Sequence, residues 1–258
     1  MSLTEEAKTF AKQGYLVVPG VLSPDEIPQL REILQAKLDQ KDRTDLPPPE
    51  FAEDEKLSQI PFRPAAVRAL RAILGDDYLT IPEYTAMSGK YAEWHRDIVS
   101  QGRARHLFDP EYRQVVAAIY LQDFSEEFGG GLEIVKHSHH AFSRIGGVHS
   151  FVSRGIRKAV TKMLPKFSIP SRAGDVVIFD FHLMHRASRA KAGPPPTKKM
   201  SLFWSASRKN RFADLYMDHL RERSGEIQQG VFQVKFPDSY HPAARSLILG
   251  QHLNLYGM

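Results

Sequence analysis

Near residue 78 the apolar pattern changes from helical to strand-like spacing, and this change constrains the fold more than any other feature of the chain. Before it, Thr4-Glu5-Glu6 opens a helix that Gly14 ends, and Tyr15 to Val18 reads as a short strand. Ser23-Pro24-Asp25-Glu26 is a second helix start, with Ser as N-cap, Pro at the first helical position and Glu three residues after the cap. Ile27, Leu30, Ile33, Leu34 and Leu38 then share one helical face, which is expected to cover a sheet. Asp45 to Glu50 carries three prolines and reads as a loop, and Pro64 to Leu74 reads as a helix closed by Gly75. After the change, Tyr84 to Ser88, Tyr91 to Val99, Val115 to Leu121, Gly131 to Val135, Val176 to Phe181 and Met200 to Ser205 are strand candidates. Gly129-Gly130-Gly131 and Ala173-Gly174-Asp175 supply turns, and Phe212 to Arg223 reads as a late helix. A mainly β chain of this kind, braced by N-terminal helices, fits a β-sandwich or a jelly-roll barrel.

At 258 residues such a chain can be one domain. Residues 1–75 would be the helical support, 78–210 the core with a basic insertion at 141–171, and 211–258 a helix and tail. The absence of cysteine excludes disulfides, thiolate metal sites and cysteine nucleophiles. No apolar run approaches the roughly 20 residues that cross a bilayer. Met1 to Phe10 lacks the layout of a secretory signal, so a cytoplasmic protein is expected. The net charge of +5 is unevenly spread: from Ile134 to Ala213 there are sixteen Lys or Arg and two acids, Asp175 and Asp180. Such a one-sided surface favours an anionic partner, although a solvated basic loop has the same composition.

His95 and Asp97, and then His185, 185 − 95 = 90 residues later, carry the chemistry. Residues i and i+2 of a strand face the same way, so His95 and Asp97 can hold one metal ion with Arg96 turned away. A distant strand must then supply the third ligand. Two imidazoles and a carboxylate leave coordination positions open, as in non-haem Fe(II) oxygenases. A single strand His is more often a packed residue than a ligand. His182 lies three residues before His185 and competes with it, and Trp94 reads as packing. His137, His139 and His140 read as a turn near the pocket, because no carboxylate stands at suitable spacing.

Four stretches together resemble the phytanoyl-CoA dioxygenase-like family of Fe(II)/2-oxoglutarate oxygenases. They are Gly14 to Ser23 with its following helix, Trp94-His95-Arg96-Asp97, Gly131 to His139, and Gly174 to Phe179 leading to His185. The resemblance implies a cupin-like jelly roll, a double-stranded β-helix. It implies Fe(II) on His95, Asp97 and His185, with 2-oxoglutarate and O2 as cosubstrates. It also implies oxidation, most simply hydroxylation, of a C–H bond with release of succinate and CO2. Asp97 stands where related halogenases carry Gly or Ala, which disfavours halogenation. Lys136-His137 departs from the family's Pro-Gly. The family's Arg clamp for the far carboxylate of 2-oxoglutarate is also missing. Lys199 with Ser201 reproduces its Arg-x-Ser pattern with a point charge in place of a fork. Arg189 is a second candidate for that clamp, and Tyr120 or Gln122 on a central strand a further cosubstrate contact, unless Tyr120 only anchors the core. Arg154, Arg157 and Lys158 in the insertion are the expected steering charges for a small anionic substrate. Two other functions fit the residues, a nucleic-acid demethylase and a non-catalytic metal-binding jelly roll. No nucleic-acid recognition motif supports the first.

Overall fold

The computed structural model of the protein describes residues 4–97, 111–143, 163–193 and 195–216. Helix α1 spans Glu5–Gln13. Thr4 caps it, accepting from the Ala7 N–H at 3.2 Å, and Gly14 ends it in the left-handed region at φ 79°. Strand β1 (Tyr15–Val18) follows at once. Helix α2 (Glu26–Asp39) starts later than the Ser-Pro-Asp-Glu pattern implies, with Asp25 at the cap position. Half of the capping box survives, because the Ser23 N–H donates to the Glu26 carboxylate at 2.8 Å. Leu30, Leu34 and Leu38 form its buried face.

The proline-rich stretch is not a plain loop. It forms a two-residue strand β2 (Asp45–Leu46) and a short helix α3 (Pro48–Glu53). Proline suits the first helical turn, where its missing N–H would have no intrahelical partner. A 3-10 segment (Leu57–Phe62) then leads into helix α4 (Pro64–Leu74).

The remaining elements are β3 (Leu79–Ser88), β4 (Gln114–Tyr120), β5 (Leu132–Val135), α5 (Ser138–Ser143), β6 (Lys166–Ser168), β7 (Val176–Asp180), β8 (His185–Ala187) and β9 (Met200–Ser207). They build two antiparallel sheets, a larger one in the order β1-β7-β4-β9-β3-β2 and a smaller one in the order β6-β5-β8. Period-two alternation divides the larger sheet into two faces. Ala117, Ile119, Ile178, Leu202 and Trp204 pack outward in one core with residues of α2, α3 and α4. Val116, Ala118, Tyr120, Val177 and Phe179 face inward to Leu132 and Ile134 of the smaller sheet. This is the jelly roll expected from the sequence. Register matters to function: a one-residue slip of β9 would send the inward-facing Lys199 and Ser201 into the apolar outer core.

Two readings of the sequence are corrected here. Residues 91–97 form no strand; within them only His95 makes a β-bridge, to His185, with both N–H groups donating to the opposite carbonyl at 2.9 Å. Of the expected turn at His137 to His140, His137 does lie in a turn, at φ 59°, whereas His139 and His140 belong to α5. Part of the basic insertion is structural, since β6 pairs with Glu133 to Val135. Residues 144–162, which include Arg154, Arg157 and Lys158, lie outside the described residues, as does the late helix beyond residue 216. Among the described residues no helix is long and apolar enough to cross a membrane.

Candidate metal centre

The His95–His185 bridge joins the segment that carries Trp94 to Asp97 to strand β8, and it sets two imidazole rings 4.3 Å apart between centroids. His95 Nδ1 meets the Glu93 carbonyl at 2.6 Å, and His185 Nδ1 meets the Leu183 carbonyl at 2.9 Å. A carbonyl only accepts, so each Nδ1 carries the proton and each Nε2 keeps a lone pair. Backbone contacts of this type orient metal-binding histidines. Both Nε2 atoms turn to Asp97, at 3.6 Å for His95 and 3.8 Å for His185. One donor atom from each of the three residues lies within 4.8 Å of the others, and among the described residues this is the sole group of its kind. The i, i+2 spacing therefore works without a strand, because the bridge fixes His95 and the chain brings Asp97 round.

The charges support the same assignment. Burial opposes ionisation of Asp97, but the two imidazoles outweigh it and hold the carboxyl below its ordinary value. Burial also disfavours a charged His185, and although Asp97 pulls the other way, its pKa is lowered. The result is an anionic carboxylate beside a neutral imidazole, the protonation state that binds a metal. For His95, burial is outweighed by Asp97 and the Glu93 carbonyl, which raise its pKa. Arg96 is buried, at 4 % exposure, and its charge is one further reason that His185 stays neutral.

The three residues line a cavity of about 490 Å³ between the sheets, within the usual range of roughly 300–1,000 Å³ for small-ligand sites. Apolar walls come from Val116, Leu132, Phe179, Phe181 and Phe203. Lys199 also lines it and is 5 % exposed. The Lys199 ammonium donates to the Lys90 carbonyl at 3.1 Å and stands 5.5 Å from the ring centres of both Tyr91 and Tyr120. Burial lowers its pKa to about 8, and among the described residues no carboxylate pairs with it. Ser201, on the same face of β9, is fully buried, and among the described residues its hydroxyl has no hydrogen-bond partner.

The Phytanoyl-CoA dioxygenase (PhyH) family model matches residues 10–193, which hold all three candidate ligands. The chain belongs to this family of Fe(II)/2-oxoglutarate-dependent oxygenases. Solved structures share the family's fold at low identity. The carbocyclase SnoK from nogalamycin biosynthesis is 18 % identical with a TM-score of 0.62, over 80 % of this chain and 85 % of that one. HygX from Streptomyces hygroscopicus, with nickel and 2-oxoglutarate bound, is 19 % identical with a TM-score of 0.56, over 81 % and 88 %. EctD from S. alaskensis, with 2-oxoglutarate and 5-hydroxyectoine, is 18 % identical with a TM-score of 0.58, over 81 % and 76 %. No curated protein matches this chain.

Within the phytanoyl-CoA dioxygenase fold, the other candidates separate. Tyr120 is buried in the cavity wall between Lys199 and the metal centre, and burial with the charge of Asp97 keeps its hydroxyl protonated. Gln122 does not line this cavity; its amide bridges the Gly130 carbonyl at 2.6 Å and the Met200 N–H at 2.8 Å. Arg189 is outside the cavity as well, in an exposed pair with Glu93 at 2.6 Å. His182 contacts Asp180 at 3.1 Å, and His139 lies against α1 at 3.2 Å from the Ala11 carbonyl. Neither belongs to the metal group. Trp94 lies under Arg186, 4.7 Å from its ring centre, as a packing residue.

Sequence reasoning missed Glu83, whose carboxylate lines the same cavity. The signal was present: Glu83, Thr85 and Met87 alternate with the buried Tyr84 and Ala86, which puts them on one face of β3.

Proposed function

We propose that the protein binds Fe(II) through His95, Asp97 and His185 and uses 2-oxoglutarate and O2 to hydroxylate a C–H bond of a small organic molecule. The balanced reaction consumes one 2-oxoglutarate and one O2 and yields succinate, CO2 and the alcohol. The metal and cosubstrate supply that oxidising chemistry when bound, and the protein supplies position and a water-poor pocket. The observation that carries the reading is Lys199. A buried cation is costly to the fold unless an anion meets it, and among the described residues no carboxylate pairs with Lys199 and no group partners the Ser201 hydroxyl beside it, on the sheet opposite the His185 strand. The far carboxylate of 2-oxoglutarate would satisfy both groups. Tyr120 would close the gap between this clamp and the metal.

The expected anionic character of the substrate rested on Arg154, Arg157 and Lys158, which lie outside the described residues. The cavity itself presents both signs of charge, Lys90 and Lys199 against Glu83.

The test is anaerobic. Fe(II) and then 2-oxoglutarate should give the weak visible charge-transfer band of the chelate. His185→Ala should abolish the band, and Lys199→Ala should need roughly tenfold or more 2-oxoglutarate to reach it. Iron bound without any band on adding 2-oxoglutarate would sink the reading.

A further inference from the structure

Lys199 stands in a wall between two cavities. Beside the metal cavity lies a second one of about 430 Å³, and Tyr91 and Lys199 line both. The charge of a lysine sits at the end of a flexible four-carbon stem, so side-chain packing with open space on either side does not fix how far the ammonium reaches. The sheet holds the backbone here only in part. Strand β9 begins at Met200, and its ladder with β4 ends at the Tyr120–Ser201 pair. Lys199 lies just before that ladder, although on the β3 side the Gly89 N–H donates to its carbonyl at 2.8 Å.

Arg31 completes the hold from α2. Its Nη1 donates to the Leu121 carbonyl at 2.9 Å and its Nη2 to the Lys198 carbonyl at 2.7 Å. Leu121 follows Tyr120, and Lys198 precedes Lys199. One planar guanidinium therefore ties the end of β4 to the chain that enters β9. The fork has a firm base, because Leu30 and Leu34 of the same helix are buried in the outer core with Leu202 and Trp204 of β9. Arg31 also lines the second cavity, so it borders the space into which Lys199 would withdraw.

We propose that Arg31 is a positioning residue: it holds Lys199 at the reach that suits 2-oxoglutarate, and so sets the length of 2-oxo diacid that the site accepts. This rests on the oxygenase reading above, with Lys199 as the clamp, and adds the selection of the cosubstrate to it. A diacid gripped at both ends, by the ion and by the ammonium, fits only if the distance between them matches its length. 2-Oxoadipate is one methylene longer and requires Lys199 to move back towards the second cavity. The Arg31 fork opposes the backbone shift that goes with that movement. One extra methylene in a fitted pocket is worth roughly 10–200-fold in discrimination.

The experiment is an anaerobic titration of the charge-transfer band, on the Fe(II)-loaded protein, with 2-oxoglutarate and with 2-oxoadipate. The wild-type protein should prefer 2-oxoglutarate by roughly tenfold or more. Arg31→Met should weaken 2-oxoglutarate by roughly fivefold and bring the preference to within about threefold, with Fe(II) affinity unchanged. Arg31→Lys keeps one charged donor and should fall between the two, with thermal unfolding recorded for both variants. No preference in the wild-type protein overturns the assignment. So does a folded Arg31→Met protein that keeps the preference, because an equal loss for both diacids would mean that Arg31 acts only through its charge. If Arg31→Met does not fold, Arg31→Lys decides by the same comparison. Failures of the underlying reading look different: no band in the wild-type protein removes the oxygenase, and a band indifferent to Lys199→Ala removes the clamp.

Discussion

Lys199 is where stability and the proposed function pull apart. Its pKa of about 8, against 10.5 for a free side chain, means that the fold disfavours the ammonium. Between these values the unfolded chain binds more protons than the folded one, so the ligand-free protein should gain stability as pH rises from about 8 towards 10.5. Lys199→Met fills the same space without the charge. It should stabilise the ligand-free protein by roughly 1–3 kcal/mol in urea unfolding at neutral pH, while raising the 2-oxoglutarate concentration needed for binding. A destabilised Lys199→Met protein would show that the ammonium is satisfied as it stands. Cosubstrate binding should follow the opposite pH course. The clamp is cationic below about pH 8, so apparent 2-oxoglutarate affinity should hold there and fall above it. Lys199→Arg should move the fall to higher pH, because a guanidinium does not titrate in this range. Titrating the charge-transfer band across pH for both proteins checks this.

Among the elements, the site depends on pieces too short to read. The longer major-sheet strands were legible because their buried residues alternate or run continuously, as in Val176 to Phe181. Strands β2, β6 and β8 have two or three residues each, too few to show a period. The metal ligands were legible as residue types at a spacing. The backbone that positions them was not, since His95 is fixed by one bridge and not by a strand. Lys199 and Ser201 were legible because β9 alternates strictly; Glu83 follows the same alternation but lies one residue before the Tyr84 to Ser88 stretch that reads as a strand, where the register of β3 shifts. Gly129 illustrates how a loop supports β8. Its φ is 70°, and an added Cβ would run into the Ser188 carbonyl just after that strand. The Ser188 N–H in turn donates to the Gly131 carbonyl at 2.9 Å. Gly129→Ala should therefore cost about 2–4 kcal/mol through backbone strain and displacement of the β8 end. Metal affinity should weaken with it, read by chemical denaturation and Fe(II) titration. A variant as stable as wild type would show that the Ser188 segment yields freely.

At the scale of the whole molecule, the proposed ligands act as a tie between layers. His185 belongs to the smaller sheet and His95 is bridged to it, while Lys199 and Ser201 flank the start of β9 in the larger sheet. Metal alone engages only the first set. 2-Oxoglutarate alone meets Lys199 but has no ion to chelate. Together they would span the cavity, so each should bind more tightly in the presence of the other. At one hundred times its Kd, a ligand that binds only the folded state adds about 2.7 kcal/mol. For a chain of this size that corresponds to a rise in Tm of roughly 5–10 °C. The expectation is a small rise with Mn(II) alone, almost none with 2-oxoglutarate alone, and a rise in that range with both, measured by thermal unfolding under argon. Lys199→Ala should keep the metal shift and lose most of the joint one. His185→Ala should lose both. Equal stabilisation by 2-oxoglutarate with and without metal would mean that it binds elsewhere, and the assignment of Lys199 and Ser201 as its clamp would fall.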